Sequence, residues 1–153
     1  MSFNIEKMNK LPPEARFFDV NSVWYFFNGW VVGLLYGTPI KPNHITILSF
    51  VLGLLSAGFY FSDKSNALLW GAIFLYGKVF FDNVDGNLAR VRGTSSRFGR
   101  FLDSLVDFFV TVLVYLGISF YLVKISGDIT FWFLGIFGLL FCYLQSTFFV
   151  FYL

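Results

Sequence analysis

The sequence predicts an all-α polytopic membrane protein: a bundle of four spanning helices preceded by an interfacial amphipathic helix. Three observations carry that expectation. Of 153 residues, 57% are hydrophobic and only 13% charged, with 23 Phe, against roughly 45–50% apolar and 25% charged in soluble domains. The apolar residues fall into four long runs, each near the roughly 20 residues that cross hydrocarbon. Short polar stretches separate them at Ser62-Asp63-Lys64-Ser65-Asn66, Gly93-Thr94-Ser95-Ser96 and Lys124 to Asp128. The net charge of +2 points to no class of partner, and the one cysteine, Cys142, excludes an internal disulfide.

Residues 1–16 form a polar cytoplasmic leader with Lys7, Lys10, Arg16 and the Pro12-Pro13 break. They lack the apolar core of a cleavable signal peptide. Residues 17–40 are aromatic-rich, but Asn28-Gly29 interrupts them. An apolar stretch that short suits a helix in the membrane plane better than a span, and its Trp and Tyr favour headgroup depth. A fifth span is the alternative reading. The spanning domain then occupies 41–153. Its first span is expected over 43–61, with Pro42 before it and Asn43 as N-cap, and the others over 67–88, 98–123 and 130–153. The absence of a polar flank after Tyr152-Leu153 predicts a domain incomplete at its C-terminus.

Orientation follows from the basic residues. Lys7, Lys10, Arg16, Lys41, Arg90, Arg92, Arg97 and Arg100 fall on one side, and only Lys64 and Lys124 on the other. The positive-inside rule places the first group in the cytoplasm.

Asp82, Asp85, Asp103 and Asp107 lie on that side, in or beside apolar helices. A mid-bilayer Asp costs roughly 2.5–3.5 kcal/mol on insertion scales, so four unpaired ones would cost on the order of 10 kcal/mol there. Asp82 and Asp85 are spaced i, i+3, Asp103 and Asp107 i, i+4, and each pair shares a helix face. The tight 93–96 turn allows both pairs to face one cleft. Hard oxygen donors suit Mg²⁺, Mn²⁺ or Ca²⁺, and two ions offset the repulsion among four carboxylates better than one. Between the pairs, Gly86 and Gly99 permit close approach of a ligand to the backbone. Arg90 and Arg100 offer planar forks for phosphate.

The pattern D-x2-D-G-x2-A-R-x8-G-x3-D-x3-D from Asp82 to Asp107 resembles the signature of the CDP-alcohol phosphotransferase family, with every fixed position matched. Thr38-Pro39, Pro42-Asn43 and Thr46 before and within the first span are similar to the family as well. The resemblance covers about residues 20–125. It implies transfer of a phosphatidyl or other substituted phosphate group from CDP-diacylglycerol or another CDP-alcohol to the hydroxyl of a polar alcohol, with CMP released. It implies Asp82, Asp85, Asp103 and Asp107 around Mg²⁺ or Mn²⁺, with Asp107 as the catalytic base. Asp85, Gly86, Ala89, Arg90 and Gly99 would line the CDP pocket. A homodimer in a prokaryotic plasma membrane belongs to the same expectation. Members usually have six spans, whereas this chain has room for four.

Other residues carry competing readings. Lys78, one turn before Asp82, can pair with it, reach a phosphate or extend to the interface. Arg97 and Arg100 are candidates for acceptor phosphate contacts, or act with Arg92 in topology and lipid contact. His44 suits a helix start better than catalysis. No nucleic-acid, zinc or nucleotide-loop pattern is present. An intramembrane prenyltransferase also uses paired Asp motifs, but farther apart in a longer chain. A divalent-cation transporter and an inactive truncated relative stay open as alternatives.

Overall fold

The computed structural model describes residues 21–152, with side chains from 27 to 148; the predicted leader and the start of the juxtamembrane segment lie outside them. The described residues form five helices in order: α1 (Asn21–Tyr36), α2 (Pro42–Tyr60), α3 (Ala67–Arg92), α4 (Arg97–Ser126) and α5 (Thr130–Tyr152). No strand occurs among them. The last four are long and apolar enough to cross a membrane, and α1 carries a shorter apolar stretch. The protein is therefore all-α and integral to a membrane. The 19 residues of α2 span about 28 Å at 1.5 Å per residue, close to the hydrocarbon thickness.

Several helix ends differ from the sequence expectation. Asn43 is not the N-cap of the first span, because Pro42 occupies the first helical position. Proline has no N–H to leave unsatisfied there, and its fixed φ already suits a helix. His44 instead closes the start: its Nδ1 accepts the Lys41 N–H at 3.4 Å, and its own N–H donates to the Lys41 carbonyl at 3.0 Å. α1 ends at Tyr36 rather than near 40, since Thr38 precedes Pro39 and is biased out of the helical region. α3 runs past Leu88 to Arg92, and nothing breaks it before Gly93, whose φ is +66°. The turn expected from Lys124 begins only at Gly127, with φ +71°. Its N–H reaches the Val123 carbonyl at 2.8 Å, a left-handed cap that lets α4 continue through Ser126.

The chain divides into two compact units. The first comprises the described residues up to Ser49 together with Gly77–Ser104. Its core sets Val32 of α1 and Ile45 of α2 with Val84, Leu88 and Val91 of α3. The last three recur at helical spacing, so they form one stripe. Val31, Leu35, Tyr36, Phe80 and Phe81 pack around that cluster.

The second unit comprises Phe50–Tyr76 and the residues from Leu105 onward. Lipid tails are as apolar as leucine, so helices in a bilayer are held by close packing of small residues. Gly53 of α2 faces Val110 of α4, and Gly71 of α3 lies against the Tyr60 ring of α2. Gly117 of α4 approaches Tyr60 and Phe61, while Gly135 and Gly138 of α5 meet Ser119 and Tyr115. Ser56 Oγ donates to the Gly71 carbonyl at 2.8 Å, and Lys124 pairs with Asp63. The apolar window of α5 buries none of its residues, leaving Phe133, Phe137, Phe141 and Phe148 exposed.

Candidate active site

The reversal between α3 and α4 organises the polar residues of the first unit. The Gly93 N–H bonds the Arg90 carbonyl at 3.1 Å and the Thr94 N–H bonds the Ala89 carbonyl at 3.0 Å, the paired pattern of a Schellman cap. Ser96 then caps α4: its Oγ accepts the Gly99 N–H at 2.9 Å, satisfying one of the orphan donors of the first turn. Only residues 93–96 separate the two helices.

This reversal brings Asp82 on α3 and Asp103 on α4 together, with carboxylate oxygens within 4.8 Å of one another. Asp107 follows one turn after Asp103 on the same helix and so shares its face. Two acidic groups that close repel unless a cation intervenes. Part of that need is met internally, since Lys78 Nζ lies 3.0 Å from Asp82 Oδ1. The set offers only hard oxygen donors, which fits a hard divalent cation.

Asp85 is placed differently. It is buried, and its Oδ2 accepts the hydroxyl of the equally buried Thr46 of α2 at 2.5 Å. Both residues line a cleft of about 380 Å³. Pro42 and Asn43 of α2 form its wall beside Thr46, while Gly86, Ala89 and Arg90 line it from α3. Gly99, Arg100 and Asp103 close it from α4, and Thr94, Ser95 and Ser96 add hydroxyls at the turn.

The two glycines differ in what they leave room for. A Cβ on Gly86 would meet only the Arg90 guanidinium, at an ordinary 3.6 Å, so the protein itself leaves that space open to the cleft. A Cβ on Gly99 would come 3.1 Å from Ser96 Oγ and 3.4 Å from Asn43 Oδ1, crowding the α4 cap. Arg90 is oriented by Asn87, whose Oδ1 accepts from Nη2 at 2.6 Å.

Of the residues singled out in the sequence, Asp85, Gly86, Ala89, Arg90, Gly99, Arg100 and Asp103 meet in the cleft, and Asp82 reaches Asp103 beside it. Lys78 is a buried partner of Asp82. Arg97 is exposed at the first position of α4, away from the cleft lining. Arg92 serves neither topology nor lipid alone. Its guanidinium donates to the carbonyls of Leu35, Tyr36, Thr38 and Ile40, at the end of α1 and in the link to α2. Sequence reasoning did not find the hydroxyls of Thr94, Ser95 and Ser96, and a serine-threonine turn between two helices carries little signal. Thr46 had one, its i+4 spacing from Pro42, which keeps it on the face that Pro42 begins.

Comparison with known proteins finds relatives among lipid-synthesis enzymes. An archaetidylinositol phosphate synthase of Pyrococcus horikoshii is 40% identical over 80 residues, which cover 52% of this chain and 41% of that protein. A phosphatidylinositol phosphate synthase of Streptomyces avermitilis is 38% identical over 68 residues, covering 44% and 27%. A bifunctional IPC transferase and DIPP synthase of Aquifex aeolicus is 37% identical over 99 residues, covering 63% and 22%. The matches thus span less than half the length of these relatives. The model of the CDP-alcohol phosphatidyltransferase family matches residues 40–151, a stretch that contains the cleft and all four carboxylates. The chain belongs to the CDP-alcohol phosphatidyltransferase family.

Proposed function

We propose that this chain carries the catalytic site of a membrane transferase that moves a phosphatidyl group from CDP-diacylglycerol, or the equivalent group from another CDP-alcohol, to the hydroxyl of a polar alcohol. The observation that carries the reading is the cleft itself: two small residues and an arginine on α3, a glycine on α4 and acidic groups from both helices around one 380 Å³ space. Asp82, Asp85, Asp103 and Asp107 would hold two Mg²⁺ or Mn²⁺ ions, which would supply neutralisation of the pyrophosphate and leaving-phosphate charge. Gly86, Ala89 and Gly99 make room for the CDP portion, and Arg90, steadied by Asn87, meets its phosphates. Asp107 takes the proton of the acceptor hydroxyl as that oxygen bonds to the β-phosphorus. The bond from phosphorus to the CMP oxygen breaks, and CMP leaves with both electrons. Little covalent help is needed from the protein, because phosphoryl transfer depends mainly on positioning and charge neutralisation.

The excess of basic residues on the side of the signature supports a site open to the cytoplasm. The same reading makes the working unit a homodimer in a prokaryotic plasma membrane. Two of the relatives are named as synthases of inositol phosphate lipids, and Arg100 lines the cleft. A phosphorylated polyol such as inositol phosphate is therefore the acceptor to try first, with Arg100 as its phosphate contact.

The test is CMP release from CDP-diacylglycerol by the purified chain in detergent, with pooled acceptors, with and without Mg²⁺ or Mn²⁺. Asp107→Asn serves as control. Metal-dependent CMP that disappears in the variant is expected, and splitting the pool names the acceptor. A folded, metal-binding chain that releases no CMP from any CDP-alcohol would overturn the reading in favour of an inactive relative.

A further inference from the structure

Arg92 occupies a variable position of the family signature, yet its guanidinium makes four long-range hydrogen bonds. Nη1 donates to the Ile40 carbonyl, and Nη2 to those of Leu35, Tyr36 at 3.0 Å and Thr38 at 2.9 Å. The last carbonyls of a helix have no partner within it, and α1 has no basic residue in its last turn. Arg92 supplies that cation from α3, where it complements the negative end of the α1 dipole. Thr38 supports the same knot, with its N–H and Oγ1 both donating to the Leu35 carbonyl at 3.0 and 2.7 Å. The segment held in this way, residues 37–41, leads directly into Pro42, Asn43 and Thr46, the α2 wall of the cleft. Arg92 itself follows two residues after Arg90, on the helix that forms the facing wall.

We propose that Arg92 is a positioning residue for the nucleotide cleft: by gripping the α1–α2 link from the end of α3, it fixes the α2 wall relative to Asp85, Gly86 and Arg90. α1 is then a brace for the cleft as well as an apolar helix. This rests on the proposed function above. Its prediction concerns ligand affinity rather than fold. A grip that only held the chain together would change how much protein folds, and leave the affinity of the folded fraction alone.

The test uses the full chain in detergent, with CMP as probe and Mn²⁺ present, measured by calorimetry on the monodisperse fraction. The same samples give kcat and KM for the CDP donor. In Arg92→Ala the CMP Kd and the donor KM rise by about tenfold or more, while kcat changes less. Arg92→Lys falls between, because an ammonium can serve one or two of the carbonyls but lacks the planar fork. Thr38→Val, which removes one donor at the Leu35 carbonyl, shifts affinity in the same direction by less. Lys124→Ala, which breaks an ion pair in the other unit, leaves CMP affinity unchanged. If Arg92→Ala does not fold, Arg92→Lys and Thr38→Val carry the test. Wild-type CMP affinity in the folded Arg92 and Thr38 variants overturns the proposal, whatever their melting temperatures. A wild-type protein that binds no CMP instead overturns the transferase reading itself.

Discussion

The proposed mechanism depends closely on the Thr46 hydroxyl that donates to Asp85. Thr46→Val keeps the shape of the side chain and removes the donor that sits 2.5 Å from Asp85 Oδ2, between two buried residues. Thr46 Oγ1 also lies 3.3 Å from the Pro42 carbonyl, but a hydroxyl carries one hydrogen, and the shorter contact to a carboxylate takes it. A hydrogen bond to a charged group contributes about 1.5–3 kcal/mol. Removing a partner that orients a metal-binding carboxylate costs about 10–100-fold in metal affinity or activity. The two agree, since that range corresponds to roughly 1.4–2.7 kcal/mol. The assay is Mn²⁺ titration followed by the paramagnetic signal of the unbound ion, run beside metal-dependent CMP release. Thr46→Val is expected to lose about one to two orders of magnitude in one or both, and Thr46→Ser to recover most of it. Wild-type metal affinity and turnover in Thr46→Val would refute the argument. So would a lower melting temperature with both of those unchanged, because the hydroxyl would then serve folding alone.

Three further outcomes follow from particular contacts. Lys78→Met removes the cation 3.0 Å from Asp82, so the metal-free protein should melt lower and Mn²⁺ should raise its melting temperature by more than in the wild type, as differential binding to the folded state requires; equal metal-induced shifts would count against the shared role of Asp82. Gly53→Ala places a Cβ 2.5–3.2 Å from the Val110 side chain and should destabilise the protein by about 1–3 kcal/mol, read by unfolding in mixed micelles, whereas Gly58→Ala, with nothing within 4 Å, should be close to neutral. Asp128 lies between α4 and α5, and hydrogen bonds from Thr130, side chain first and then backbone, hold its carboxyl below the ordinary 3.8. Its contribution is therefore present above 3.8 and lost as pH falls through the lower folded value; exchange of the Thr130 amide, which donates to Asp128 Oδ1 at 2.9 Å, should accelerate over that window, and Asp128→Ala should remove the pH dependence.

The spans were legible because hydrocarbon imposes a length and a composition on any helix that crosses it. Their ends were less so. Lys124 and Ser126 look like a polar turn, yet a helix can project polar side chains beyond its apolar part without unwinding, and only the left-handed Gly127 stops α4. Asn43 looks like a cap, but the proline before it already fits the first helical position. In the site, the carboxylate spacings were legible because each Asp pair lies within one helix, where periodicity fixes the shared face. Contacts between helices were not. Thr46 and Asp85 are 39 positions apart, and Arg92 reaches carbonyls 52 to 57 positions away. Nothing local separates Arg92 from Arg90 or Arg100; packing gives one to the cleft wall and another to the end of α1.

The way the charges are accommodated explains why those long-range contacts matter to the chemistry. A carboxylate within an apolar helix persists only with a partner, and on α3 the partners are Lys78 for Asp82 and Thr46 for Asp85. Those partners do different things. A lysine one turn away answers charge with charge, so it competes directly with a metal ion for the same oxygen. A hydroxyl leaves the charge on Asp85 in place and only directs it, so it is compatible with a cation bound to the remaining lone pairs. If both α3 carboxylates bind metal as proposed, they are prepared in opposite senses, Asp82 held by a cation of the chain and Asp85 directed by a hydroxyl. That difference predicts that Lys78→Met and Thr46→Val will shift metal affinity in opposite directions, tighter for the first and weaker for the second. A shift of both in the same direction would mean that the partners act through the packing of α3 and not through the charges they touch.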